Sequence, residues 1–151
     1  MNSDDKAESG GSSRTILANM EEDAKRAVLA EMRQAHEIAA LSRRGVREVL
    51  SDLACWKADG RLFSVEFAGS EYFPSFALNS ITGYQPYPCF AEALRILNAG
   101  HWGGDWAVAN WFIGLSSFLD DQSPMDLVAS DPEWVIEAAK DAVSSLDYRN
   151  Q

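Results

Sequence analysis

The chain has 151 residues, of which 46% are hydrophobic, and it contains five tryptophans and seven phenylalanines. A chain of this length and apolar content can bury its own core, so it does not need disulfides or a structural metal to fold. The formal net charge of −10 disfavours general binding to the phosphate backbone of nucleic acids and favours contact with basic protein surfaces.

The negative charge is concentrated in the later part of the chain. Residues 1–50 carry eight Lys and Arg against nine Asp and Glu, whereas residues 51–151 carry five against fourteen. A field of this sign draws in a basic protein partner, but surface acidity also serves solubility alone. Charge by itself leaves both interpretations open.

The N-terminus combines acids and serines and lacks the basic and apolar segments of a signal peptide. No apolar run approaches the ~18 residues of a membrane span. The cysteines, Cys55 and Cys89, fit no zinc, haem or thioredoxin spacing, and both lie in apolar stretches typical of buried thiols. We therefore predict a soluble cytoplasmic protein with reduced, buried cysteines and with no metal, cofactor or membrane contact.

The chain begins with a polar tract without periodicity, and we predict a disordered tail over residues 1–14. From about Thr15 to Leu41, apolar residues recur at three- and four-residue steps, which predicts an amphipathic helix with one break near Arg33. Long N-terminal helices of this kind often pair with a copy of themselves. A homodimer is therefore expected.

Ser42 is predicted to cap a second helix, which continues through Trp56 and ends at Asp59-Gly60. Three arginines, Arg43, Arg44 and Arg47, lie at the start of this helix. Together with the preceding helix they give the outline of a helix-turn-helix, whose second helix reads the major groove of DNA. The alternative is a solvated arginine face without a ligand.

The next segment has the two-residue period of a β-strand. Phe63, Val65 and Phe67 alternate with Leu62, Ser64 and Glu66 before a turn at 68–70. A second strand is predicted from Glu71 until Pro74 withdraws its amide donor. The hairpin would be a wing-like element beside the helix-turn-helix. Residues 15–78 are accordingly predicted to form helix-turn-helix-like helices plus a β-hairpin.

Residues 79–151 are predicted to form a compact C-terminal helical domain. A loop over 79–88 leads into a helix that begins at Pro88, and a Trp-rich helix follows from Asp105 to about Phe118. Ser123 and Asp131, each followed by a proline, predict two further helix starts. The predicted fold class is mainly α with a small β-hairpin.

The sequence contains no nucleophile elbow, phosphate-binding loop, dinucleotide fingerprint or paired metal-ligand helix. Its two histidines, His36 and His101, lie far apart without catalytic neighbours in the sequence. Asp120-Asp121 has too few oxygen donors around it for a cation site. We predict a protein that is not an enzyme, and a small enzyme of unrecognised type is the least favoured alternative.

From about Asp52 onward the motifs occur in a distinctive order. A tryptophan precedes a Gly-x-Leu-Phe-x-Val-like strand, and a Tyr-x-Pro-x-Phe signature and a proline-led helix follow. A Trp-rich helix then ends in Leu-x-x-x-x-Pro-x-Asp-Leu, before a last helix rich in Val and Ala. The matching positions are Trp56, Gly60, Arg61, Leu62, Phe63, Ser64, Val65, Tyr72, Phe73, Pro74, Phe76, Trp106, Trp111, Phe112, Leu119, Pro124, Asp126, Leu127, Val135, Ala138, Ala139 and Val143.

In this order the chain resembles the antitoxins with an Xre/MbcA/ParS-type toxin-binding domain, over about two-thirds of its length. It departs from the pattern in two places. The segment before Ser42 lacks a Leu-Gly turn, and this departure argues against autoregulation through DNA binding. Leu119 is followed by two aspartates where glycine is frequent, and this departure changes only one turn.

The resemblance implies a helical domain that binds and neutralises a cognate protein toxin, often of the RES type that consumes NAD. It also implies that the C-terminal end, residues 146–151, blocks the toxin's active-site cleft. Trp, Tyr and Arg are enriched in interface hot spots, and we predict toxin contacts at Trp134, Tyr148, Arg149 and Asn150. A stand-alone DNA-binding regulator that uses Arg43, Arg44 and Arg47 is the main alternative, and one chain can combine both functions.

Overall fold

The structure is a computed structural model that describes the backbone of residues 2–149 and the side chains of residues 15–146. Over these residues the protein is mainly helical and has a small antiparallel sheet, which confirms the predicted fold class. None of the helices described is both long enough and apolar enough to cross a membrane.

The first helix, α1, covers Asn2–Ala30, so the backbone of residues 2–14 is helical where a disordered tail was predicted, and Met1 lies outside the described residues. The polar composition of this segment argues against burial, but no proline interrupts the helix. The predicted break near Arg33 is confirmed, because strand β1 (Met32–Arg33) separates α1 from helix α2 (Ala35–Ser42).

The predicted capping role of Ser42 is wrong. Ser42 is the last residue of α2, and its hydroxyl donates to the carbonyl of Ala39 at 3.3 Å. Arg43 adopts the left-handed conformation with φ 57°, which ends α2, and Gly45 is the residue before helix α3 (Val46–Ala58). Three residues therefore join the two helices in a helix-turn-helix arrangement.

Strands β2 (Val65–Phe67) and β3 (Ser70–Pro74) form the predicted hairpin. Pro74 belongs to β3 and faces Met32 of β1 in register, so the sheet has the order β1-β3-β2. Strand β1 pairs with β3 on the side away from β2. With this pairing, the order of elements α1-β1-α2-α3-β2-β3 is that of a winged helix-turn-helix.

The predicted loop over 79–88 contains a second, smaller hairpin of β4 (Leu78–Asn79) and β5 (Gln85–Pro86). Helix α4 then runs over Pro88–Ala99 with proline in its first turn, as predicted. Helix α5 (Asp105–Ile113) is shorter than predicted, since the chain leaves the helix at Gly114 in an extended conformation.

A loop with one 3₁₀ turn leads to α6 (Pro124–Leu127), and α7 (Pro132–Arg149) completes the described chain. Ser123 precedes α6 as predicted, but its hydroxyl donates to the carbonyl of Ile113 at 2.9 Å and caps no helix amide. This hydrogen bond ties the start of α6 to the end of α5.

One buried cluster joins the helix-turn-helix part to the C-terminal helices, because it runs from Val28 to Ala139. Four phenylalanines lie near its centre and contact one another through their rings: Phe63, Phe76, Phe90 and Phe112. Helix α7 packs closely on the end of α4, where a Cβ atom on Gly100 would lie 2.5 Å from Cγ1 of Val143.

Candidate interaction surfaces

The three arginines predicted to contact DNA occupy different environments. Arg43 and Arg47 are exposed, and neither forms an ion pair with a carboxylate in the described part of the chain. The guanidinium of Arg44 donates instead to Asp52 and to Glu48, the latter at 2.9 Å. The hydrogen bond to Asp52, followed by the one to Glu48, raises the pKa of Arg44 above its ordinary value. Arg44 therefore braces α3, and two carboxylates already compensate its charge.

The solvent face of α3 also carries apolar side chains. Val46 and Leu50 are exposed. Leu50 and Phe73 of β3 line two adjoining cavities of about 260 and 400 Å³, and Val46 lines the smaller one. A helix that reads base edges presents polar side chains to the major groove. This face of α3 is thus mixed, with arginines at its first turn and an apolar strip beside the hairpin.

Glu71 holds the hairpin against α3. Its carboxylate accepts hydrogen bonds from the Lys57 ammonium and from the buried Ser64 hydroxyl. Burial raises the pKa of Glu71, but the hydrogen bonds from Lys57 and Ser64 together outweigh it, and the pKa lies below its ordinary value. The wing-like element is therefore fixed to the helix-turn-helix by charge as well as by packing.

The residues predicted to contact a toxin do not form one compact cluster. Trp134 is half-buried in the first turn of α7, where it packs against the core. The backbone of Tyr148 and Arg149 forms the last turn of the same helix, and Asn150 lies outside the described residues. Tyr148 follows Trp134 by fourteen positions, which is about 21 Å along a helix. A contact that included both would have to run along α7.

A further surface was not predicted from the sequence. Leu115 and Phe118 were predicted to lie in the Trp-rich helix that begins at Asp105. Both lie in the loop after α5, with exposures of 76% and 40%. Leu115 lines a cavity of about 420 Å³ together with Trp102 and Trp111. Gly114 was the available signal, because glycine at this position favours ending the helix before Leu115.

The cysteine prediction is half right. Cys89 is buried, its thiol donates to the carbonyl of Val128 at 3.5 Å, and burial raises its pKa. Cys55 is exposed, because it lies on the outer face of α3, where an apolar neighbourhood in sequence does not imply burial. Within the described residues, no group of three or more His, Cys, Asp or Glu side chains is placed to hold a metal ion.

No protein-family model matches the sequence, and no curated protein matches it. The fold is similar to that of Rv2175c, whose structure was determined by NMR, with a TM-score of 0.59 and 21% sequence identity. The superposition covers 74% of this chain and 80% of that chain. At this level of identity the likeness concerns the fold.

Proposed function

We propose that this protein is a cytoplasmic antitoxin that binds and neutralises a cognate protein toxin through its C-terminal helical region. The observation that carries the proposal is the length of α7. Val143 still packs against the core beside Gly100, and the helix continues for six residues beyond Val143, to Arg149. A helix that outruns the core it packs on offers a ready-made segment for insertion into a partner's cleft.

Charge supports the same partner class. The part of the chain from residue 51 onward has nine more acidic than basic residues, so it attracts a basic cleft and repels nucleic acid. In this proposal the toxin is the enzyme, an NAD-consuming protein of the RES type in the pairs that the sequence resembles. The chain itself acts by occupying the toxin's active-site cleft.

The test is co-expression of the full chain with the protein encoded by the neighbouring gene. We expect the neighbour alone to arrest growth, the pair to restore growth, and the two proteins to copurify through gel filtration. A neighbour that is harmless and does not copurify would contradict the proposal. The C-terminal segment is tested separately by the truncation argued in the Discussion.

DNA binding is the second candidate function, and the winged helix-turn-helix order of elements favours it. If the chain binds its own promoter, Arg43 and Arg47 are the residues positioned to contact phosphate. We expect Arg47→Ala to weaken binding to this duplex and to reduce the slope of log affinity against log salt by about one unit. Fluorescence anisotropy over a salt series measures both quantities.

Arg44→Ala is the matched control, since Glu48 and Asp52 already engage its guanidinium. This variant should keep the salt slope of the wild-type chain. Equal losses in the two variants would show that the arginines act through the fold. Lack of binding by the wild-type chain would remove DNA binding from its functions.

We also propose that the protein forms a homodimer through α1. Ile16, Leu17 and Met20 form one exposed apolar face on this helix, and every residue from 15 to 27 is exposed. Met20→Glu would place a charge in this face and is expected to shift the protein to a monomer in sedimentation equilibrium. Ala18→Glu adds the same charge on the opposite side of α1 and should leave the dimer intact; monomeric wild-type protein would contradict the proposal.

A further inference from the structure

The loop between α5 and α6, residues 114–122, exposes the apolar side chain of Leu115 to solvent. Leu115 has 76% of its surface exposed, whereas Leu119 in the same loop is fully buried. Phe118 lies between these extremes at 40%. The loop is anchored by Leu119 and displays Leu115 to solvent.

Backbone hydrogen bonds close this loop on itself. The amide of Ser116 donates to the carbonyl of Gln122 at 3.0 Å, and the amide of Asp121 donates to the carbonyl of Ser116 at 2.8 Å. The Gln122 side chain adds a hydrogen bond to the Leu119 carbonyl. A loop braced in this way loses little conformational freedom when a partner binds, which favours affinity.

Two consecutive residues of the loop adopt the left-handed conformation, Asp120 with φ 56° and Asp121 with φ 63°. Aspartate adopts this conformation more readily than most residues with a side chain. Here the two residues reverse the chain immediately after Leu119. The turn thus helps to fix the position of the loop that displays Leu115 and Phe118.

A cavity large enough for a side chain lies beside Leu115. The cavity of about 420 Å³ is lined by Leu115 and the two tryptophans Trp102 and Trp111, and also by Gly114 and the polar residues Asn110, Ser116 and Ser117. The indole nitrogen of Trp102 donates to the carbonyl of Ala107, so this ring is held in place. An apolar side chain from a partner would be buried here against aromatic surface.

Charge identifies the partner's chemistry. Residues 96–139 contain seven Asp and Glu and no Lys or Arg. Asp120 and Asp121 are exposed beside Leu115 and Phe118, and neither forms an ion pair within the described residues. A surface with an apolar centre and an uncompensated acidic rim complements an apolar side chain flanked by Lys and Arg.

We propose that Leu115, Phe118 and the Trp102–Trp111 cavity form a second docking surface, which binds a basic segment of the toxin through one inserted apolar side chain. The inference rests on the proposed function, since the toxin is the protein that carries this segment. It adds a contact separate from the C-terminal segment of α7. The surface would hold the toxin while that segment enters its cleft.

The test measures the affinity of the full chain for the purified neighbouring gene product by biolayer interferometry. Leu115→Asp should weaken binding by at least about tenfold. Ile81→Asp is the matched control, because Ile81 is 92% exposed and lines no part of this cavity, and its affinity should stay within about twofold. The melting temperatures of both variants should match that of the wild-type chain.

The acidic rim is tested by the double variant Asp120→Asn, Asp121→Asn. Asparagine accepts the left-handed conformation, so the loop should keep its shape while losing two charges. We expect weaker binding and a smaller salt dependence than in the wild-type complex. Unchanged affinity in Leu115→Asp, with a wild-type chain that binds, would overturn the docking surface and leave the antitoxin function intact. A wild-type chain that does not bind would overturn both.

Discussion

Replacement of Phe112 by alanine is expected to lower the free energy of unfolding by about 3–5 kcal/mol. Phe112 is fully buried, and its ring lies 4.6 Å from that of Phe90 and 5.6 Å from that of Phe76, measured between centroids. Removing it leaves a cavity between α4, α5 and the segments that flank the hairpin. Domains of this size are stable by about 5–15 kcal/mol, so the variant would approach or cross the threshold of unfolding.

Urea unfolding followed by circular dichroism measures this change, provided that the transition is two-state. Phe118→Ala is the matched control, because it removes the same ring from a side chain that is 40% exposed. We expect it to cost less than about 1 kcal/mol. Similar losses in the two variants would mean that the four phenylalanines do not form the centre of the core.

The sequence predicted best those elements whose signals are local. Helix α3 was predicted because its apolar residues repeat with helical spacing and Asp59-Gly60 ends it, and both features act within a few residues. The same holds for the hairpin turn at Gly69 and for the proline that begins α4. In each case the residues that specify the element lie within it or directly beside it.

The errors concern features that depend on distant partners. Strand β1 is two residues long, and only its pairing with Phe73 and Pro74 makes it a strand. The hydroxyls of Ser42 and Ser123 had suitable positions for capping but found nearby carbonyls instead. Competition between partners of similar quality is decided by the three-dimensional arrangement, which a pattern of residue types does not contain.

In the candidate surfaces, too, local features follow from the sequence, whereas features that depend on distant partners do not. That Arg43, Arg44 and Arg47 lie close together follows from sequence alone. Only the structure separates Arg44, held by two carboxylates, from the two exposed arginines. Exposure of Leu115 could not be predicted from apolar spacing, because helical periodicity continues through it while the backbone leaves the helix at Gly114. A strong hydrophobic pattern does not determine whether a particular side chain is buried in the core or exposed to solvent.

The second large effect is expected from a truncation that ends the chain at Leu146. It removes residues 147–151, including Tyr148, Arg149 and Asn150, the three C-terminal positions predicted to contact the toxin. Tyr and Arg are the residue types that dominate interface energetics, and losing two such contacts weakens binding by about a hundredfold or more. We expect this loss in affinity for the neighbouring gene product, together with failure to restore growth.

The fold should survive this truncation, because α7 contributes Val135, Ala138 and Ala139 to the buried core and all three precede the cut. An unchanged melting temperature with lost affinity therefore assigns the effect to the interface. A chain that lacks only Gln151 is the control and should bind like the full protein. If the chain ending at Leu146 also binds and rescues growth fully, the blocking element lies elsewhere, and the acidic loop around Leu115 would carry the interaction by itself.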